Sequence, residues 1–103
     1  MIKASLLYPN TAGARFDYAY YLDSHLPMVK ARLGVALKRL AAERGLSGAP
    51  GMPAPYVALG HLYFESVEAM AQAYTPHAQE ILDDIPHFTD LQPVMAVAEV
   101  LID

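Results

Sequence analysis

The sequence predicts an α+β fold of order βαββαβ, in which a four-stranded antiparallel sheet carries two helices on one face. Three observations predict it. Short apolar runs at Ile2 to Tyr8, Tyr56 to Glu65 and Val94 to Ile102 have the length and residue types of strands and end at turn residues. Two longer segments, Phe16 to Leu33 and Val67 to Asp84, repeat their apolar residues at helical spacing. The strands, finally, are apolar on both faces, which is more than two helices can cover.

Taken in order, Pro9-Asn10 and Thr11-Ala12-Gly13 close the first strand and open a loop. The first helix follows, with Gly34 placed to stop it. Val35 to Arg44 admits two readings, since Ala41-Ala42-Glu43-Arg44 would suit a helix. Its short span between two glycines after a long helix favours a strand. Gly45 to Pro55, rich in Gly and Pro, is a loop. After the third strand Ser66 is an N-cap for Val67 to Tyr74. Thr75 can cap a new turn with Pro76 in its first position, and Ile85-Pro86 ends that helix. His87 to Leu91 is a loop or short turn before the last strand. The whole chain, 1–103, reads as one domain.

The first helix carries the most informative residues. At about 100° per residue, Tyr18, Leu22, His25, Val29 and Leu33 share one stripe, with Tyr21 at its margin. An imidazole on an apolar face needs a hydrogen-bond partner, and Tyr21 one turn earlier is within reach. Pro27 lacks an N–H and presses on the carbonyl of Asp23, so the helix should kink or restart near Leu26. A satisfied core histidine and a site histidine both fit this pattern.

In the third strand Ala58 and Gly60 suit close packing against a helix, so the phase Tyr56, Ala58, Gly60, Leu62, Phe64 is assigned to the helices. The other phase needs a cover of its own, because each large apolar side chain left in water there forfeits roughly 1.5–3 kcal/mol. A second copy packed sheet to sheet supplies it, which predicts a homodimer. Ser5 and Leu7, His61 and Tyr63, and Met95, Val97 and Glu99 are expected to share that face. Apolar walls with a few convergent polar groups describe a pocket for a small apolar or aromatic ligand, and a plain interface is the other reading.

Composition excludes several classes. With 54% apolar and 17% charged residues the chain should fold. No apolar run approaches the roughly 18 residues of a membrane span, and none near Met1 resembles a signal peptide, so a cytoplasmic protein without membrane contact is expected. A net charge of −4 with seven scattered Lys and Arg argues against nucleic acid. No cysteine means no thiolate nucleophile and no Cys-type metal site. None of the four histidines forms an i, i+4 pair, so no metal is expected. A haem would need His25, His61 or His77 as axial ligand. The glycines of Gly45 to Gly51 lack the strand-to-helix setting of a dinucleotide motif, and the expectation is cofactor-free. Asp17, Asp23, Asp83 and Asp84 read as solvated or capping carboxylates.

Three segments resemble one family. Phe16-Asp17-Tyr18-x-Tyr20-Tyr21-x-x-x-His25-x-Pro27, Gly60-His61-Leu62-Tyr63-Phe64-Glu65-Ser66-x-Glu68-Ala69 and Pro76-His77-x-x-x-Ile81-x-x-Asp84-Ile85-Pro86-x-Phe88-Thr89-x-x-x-Pro93 are similar, in order and spacing, to the EthD family. The resemblance implies a ferredoxin-like dimeric α+β barrel. For chemistry it implies less. The family takes its name from a component accompanying an ether-degrading monooxygenase, many members carry a generic reductase label, and the wider barrel superfamily spans monooxygenases, isomerases, cyclases and haem-handling proteins. A histidine equivalent to His25 does acid–base work in some barrel relatives, so the resemblance implies His25 and Tyr21 as catalytic residues. His61, Tyr63, Ser5, Met95 and Glu99 are the candidates for binding substrate. Two functions fit: a cofactor-free enzyme of oxidoreductase, isomerase or cyclase type, holding a small oxygenated compound between sheet and helices, or a non-catalytic accessory protein that holds it for a partner oxidase.

Overall fold

The computed structural model describes residues 1–103. Strands β1 (Ile2–Pro9), β2 (Arg39–Arg44), β3 (Tyr56–Phe64) and β4 (Val94–Glu99) form one antiparallel sheet in the order β2-β3-β1-β4. The first helical segment runs as α1 (Tyr18–Tyr20), a π-helical turn (Tyr21–His25) and α2 (Leu26–Leu33). The second runs as α3 (Val67–Tyr74), a 3₁₀ turn and α4 (Ala78–Asp84). The fold is ferredoxin-like α+β.

Local chemistry sets the boundaries. Asp17 caps α1, its carboxylate accepting from the Tyr20 N–H at 3.1 Å, and Ser66 caps α3 through the Ala69 N–H at 3.0 Å. Gly34 takes φ +60° at the end of α2, a conformation a side chain would strain. Thr75 differs from expectation. It stays in a helical conformation and caps nothing with its side chain, and Pro76 is absorbed into the 3₁₀ turn Thr75–His77. β4 ends at Glu99 rather than Ile102, after which Val100 N–H bonds the Met1 carbonyl and Leu101 and Ile102 stand in solvent.

Pro27 acts as the sequence suggests, by an unexpected device. The Leu26 N–H reaches back five residues to the Tyr21 carbonyl, so a wide turn stands where Pro27 offers no donor, and regular helix resumes at Leu26. The wide turn also shifts the buried stripe. Tyr21, His25, Val29 and Leu33 are buried, four residues apart, while Leu22 is 53% exposed. The expectation that Leu22 faces the sheet is thereby corrected.

Register corrects a second expectation. Ser5 pairs with Ala96 and Leu6 with Met95, and residues paired in this way share a face. Met95, Val97 and Glu99 therefore lie on the helix side of the sheet with Leu6, Ala4 and Ile2, and Val94, Ala96 and Ala98 occupy the open side with Ser5 and His61. Both phases of β4 are apolar, so only pairing could choose between them.

The core between sheet and helices has two parts. Ile2, Ala4, Leu62 and Phe64 pack with Val29, Leu33 and Ile81, and Tyr8 and Ala58 pack with Tyr21, Ile85 and Phe88. Gly60 and Leu6, paired across β3 and β1, lie between the two parts. Gly60 has no side chain to fill the gap.

Candidate functional site

That gap is a cavity. Leu6, Gly60 and Leu62 form its floor, Leu26 and Val29 one wall, and Tyr74 and Ile81 the other. Tyr8, Tyr21 and His25 close one end, and Leu40 lies at the β2 side. The cavity they enclose has a volume of about 20 Å³, room for one or two waters. Leu26 and Leu40 also line a groove on the outer surface with Leu22, Pro27 and Lys30, so these two leucines divide the cavity from solvent.

His25 is 3% exposed and held on three sides. Its ring lies 4.6 Å from that of Phe88 and stacks at 6.0 Å on that of Tyr21. Its Nδ1 is 2.8 Å from Asp84 Oδ2, and Tyr20 Oη donates to the other oxygen of that carboxylate, also at 2.8 Å. The expected hydrogen bond from Tyr21 is not formed; Asp84 is the partner instead. Nε2 bonds to no protein atom. Since no buried side-chain nitrogen or oxygen is left without a partner, Nε2 must touch open space, and His25 lines the cavity.

The electrostatics fix which nitrogen carries the proton. Burial acts to raise the Asp84 carboxyl, but hydrogen bonds from His25 and Tyr20 and the nearby His25 and His87 charges outweigh it and hold it below the usual carboxylate value. An ionised carboxylate only accepts, so a neutral His25 donates through Nδ1 and keeps its lone pair on Nε2. Burial lowers the His25 pKa below its ordinary value, and Asp84 pulls it only part of the way back. The unfolded chain therefore takes up a proton at this ring near pH ~6.5 and the folded chain only lower. Stability contributed by His25 is complete above pH ~6.5 and is lost as pH falls from there towards the folded value. Thermal melts across that interval should show the loss, and a His25→Gln variant should not; an equal acid loss in both would refute it.

The remaining candidates lie elsewhere. Ser5, His61 and Tyr63 sit on the open face of the sheet, opposite His25 and Tyr21. Ser5 Oγ is 2.7 Å from His61 Nδ1, and His61 Nε2 is 3.0 Å from Glu43 Oε1, a polar chain across three strands. The Arg39 guanidinium lies 5.0 Å from the centre of the Tyr63 ring. Met95 and Glu99 are on the exposed edge strand β4, on the helix side. No molecule in the cavity could touch His25 and His61 together. Three groups escaped sequence reasoning: Asp84, Tyr20 and Tyr8. Asp84 had a signal, since it follows the buried Ile81 by three residues and so shares its helix face. No group of three or more His, Asp or Glu side chains is placed to hold a metal ion, and no helix is long and apolar enough to cross a membrane.

Comparison with known proteins accords with this geometry. A family model described as the EthD domain matches residues 12–92. The crystal structure of an EthD-like protein from Ralstonia eutropha JMP134 is similar at 47% identity, with a TM-score of 0.93 over 99% of this chain and 93% of that one. An EthD family protein from Bacillus halodurans C-125 superposes with a TM-score of 0.75 at 19% identity, over 98% of this chain and 99% of that one. A putative antibiotic biosynthesis monooxygenase from Deinococcus radiodurans shares the fold, with a TM-score of 0.64 at 15% identity, over 100% of this chain and 95% of that one. No curated protein matches the sequence.

Proposed function

The chain belongs to the EthD family, and on that footing we propose that it is a cofactor-free enzyme that moves a proton on a small apolar or aromatic oxygenated compound, with His25 as the base. The observation that carries this reading is the free Nε2 of a histidine whose other nitrogen is held by Asp84, opening on a cavity whose walls are mostly apolar. A general base needs its lone pair within roughly 2.6–3.2 Å of the proton it takes, and a ring held by its far nitrogen keeps that lone pair aimed. As Nε2 gains the proton, the Asp84 carboxylate stabilises the imidazolium, and Tyr20 keeps the carboxylate in place. Leu26 and Leu40 stand between the cavity and the outer groove, so a ligand larger than water must displace them to enter.

The test is a screen of small ketones, phenols and lactones without added cofactor. A substrate should emerge whose kcat/KM falls on an acid limb below pH ~6.5, the ordinary histidine value. Asp84→Asn should move that limb lower still, because the carboxylate that favours the imidazolium is gone, and should cost about tenfold or more in turnover. A ligand bound in the cavity but never altered, with or without redox partners, would make the protein a carrier.

A second copy of the chain is proposed to cover the open face of the sheet. Support comes from that face itself, where Val94 is half exposed, Ala96 and Ala98 beyond it are exposed, and Leu7, paired with Val94, and Leu59, paired with Leu7, continue the apolar surface across β1 and β3. Light scattering after size exclusion should give twice the chain mass at micromolar concentration. A stable monomer there would refute the assignment.

A further inference from the structure

Tyr8 is 1% exposed and its hydroxyl bonds to no protein atom; since no buried side-chain oxygen is left without a partner, that hydroxyl must touch open space. A buried tyrosine hydroxyl ordinarily finds a partner. The ring cannot swing the hydroxyl to the surface, because the rings of Phe16, Tyr21 and Phe88 hold it edge-on at 5.3, 6.0 and 5.9 Å. Tyr21, 3% exposed, is in the same condition. Its hydroxyl stands over Gly60, where an added Cβ would come within 2.7 Å of it. Tyr8, Tyr21 and His25 thus line one apolar space together with Tyr74, and no hydrogen bond within the protein uses the Tyr8 and Tyr21 hydroxyls or His25 Nε2.

Burial, reinforced by the neighbouring Tyr21 and Tyr74 hydroxyls, pushes the Tyr8 hydroxyl well above its ordinary range, and burial first, then Glu43, pushes Tyr21 up to about 12. Both stay protonated at any working pH, so they can donate hydrogen bonds but not act as bases. Fixed donors in a water-poor site are suited to an oxygen on which negative charge develops.

We infer that Tyr8 and Tyr21 hold the oxygen of a carbonyl substrate as it becomes an enolate, while His25 Nε2 takes the proton from the adjacent carbon. The substrate class is a small, mostly apolar ketone or related carbonyl compound with a C–H next to the carbonyl; this rests on the proton-transfer reading above. The C–H bond breaks and its proton passes to Nε2. Its electron pair becomes the C=C bond of the enolate as the carbonyl π pair moves onto oxygen, where the two hydroxyls receive it. The imidazolium beside Asp84 then returns the proton, to the γ carbon where the substrate carries a β,γ C=C bond and otherwise to the carbon it came from, and the pair on oxygen re-forms the carbonyl. No oxidant or reductant enters.

The experiment uses two probes, 4-nitrophenolate, a flat apolar ring with a delocalised oxyanion, and nitrobenzene, which lacks that oxygen. Wild type should bind the phenolate more tightly. Tyr8→Phe should weaken phenolate binding about tenfold or more and leave nitrobenzene within about twofold. Its melting temperature should equal or exceed that of wild type, since the hydroxyl removed had no partner. Gly60→Ala, which displaces the Tyr21 hydroxyl, should show the same selective loss and decides the matter if Tyr8→Phe melts early. Equal phenolate binding by wild type and both variants, or equal loss for both probes, would overturn the inference and leave His25 as a base untouched. Failure of wild type to bind either probe would overturn both.

Discussion

Replacing His25 by glutamine is expected to lower turnover by at least about 10²-fold, the usual contribution of a positioned general base. Glutamine can still donate to Asp84 and fills much of the same space between Phe88 and Tyr21, but it has no basic lone pair to present at the cavity. Its melting temperature should stay near that of wild type at neutral pH. His25→Ala should lose the same turnover and also some stability, because it leaves a hole beside Phe88 and takes a partner from Asp84. A purely structural histidine gives the reverse pattern, with activity falling only in proportion to the fraction unfolded. Full turnover by His25→Gln would end the assignment.

Phe88→Ala should have the largest effect on stability. The ring is fully buried and meets those of Tyr8, Phe16, Tyr20, Tyr21 and His25, at centroid distances between 4.6 and 6.3 Å. Its backbone is also engaged, the carbonyl accepting from Asp17 N–H at 2.7 Å at the start of the first helical segment. Truncating such a ring costs about 3–5 kcal/mol. For a domain of this size each kcal/mol is about 4–8 °C, so a fall on the order of 20 °C is expected in a thermal melt. A fall of only a few degrees would mean that the aromatic cluster repacks without it.

Phe88 also marks where the sequence could be read and where it could not. The order of strands and helices follows from apolar periodicity and from Gly34, Ser66 and Pro86, because each acts through its own backbone or that of near neighbours. The importance of His87 to Leu91 does not, since a short turn shows no period, and its burial depends on what packs over it. Thr89 is buried in the same way, its hydroxyl donating to the Arg15 carbonyl at 2.7 Å. His25 and Tyr21 stood out by type and spacing within a segment resembling the EthD family. Asp84, the partner of His25, lies 59 residues further on and read only as a solvated or capping carboxylate. A carboxylate at a helix end looks the same in sequence whether it caps, faces water or holds a histidine. The mistaken face of Met95 and Glu99 has a like origin, because pairing between β1 and β4 is a long-range fact that two apolar phases leave undetermined.

The wide turn at Tyr21–His25 makes chain length a property of the site. In a regular helix every residue gained or lost rotates all that follows by about 100°, but a wide turn takes up one residue without that rotation. Removing one residue between Tyr21 and His25 would close the turn into regular winding and keep Val29 and Leu33 on the sheet, but it would change the offset of the His25 ring from that of Tyr21. Substitution can thus vary what the cavity holds one group at a time, whereas deletion in this turn alters the stacked pair and leaves the core in place. Among related sequences the spacing from Tyr21 to His25 should therefore be kept more strictly than the residues that occupy it.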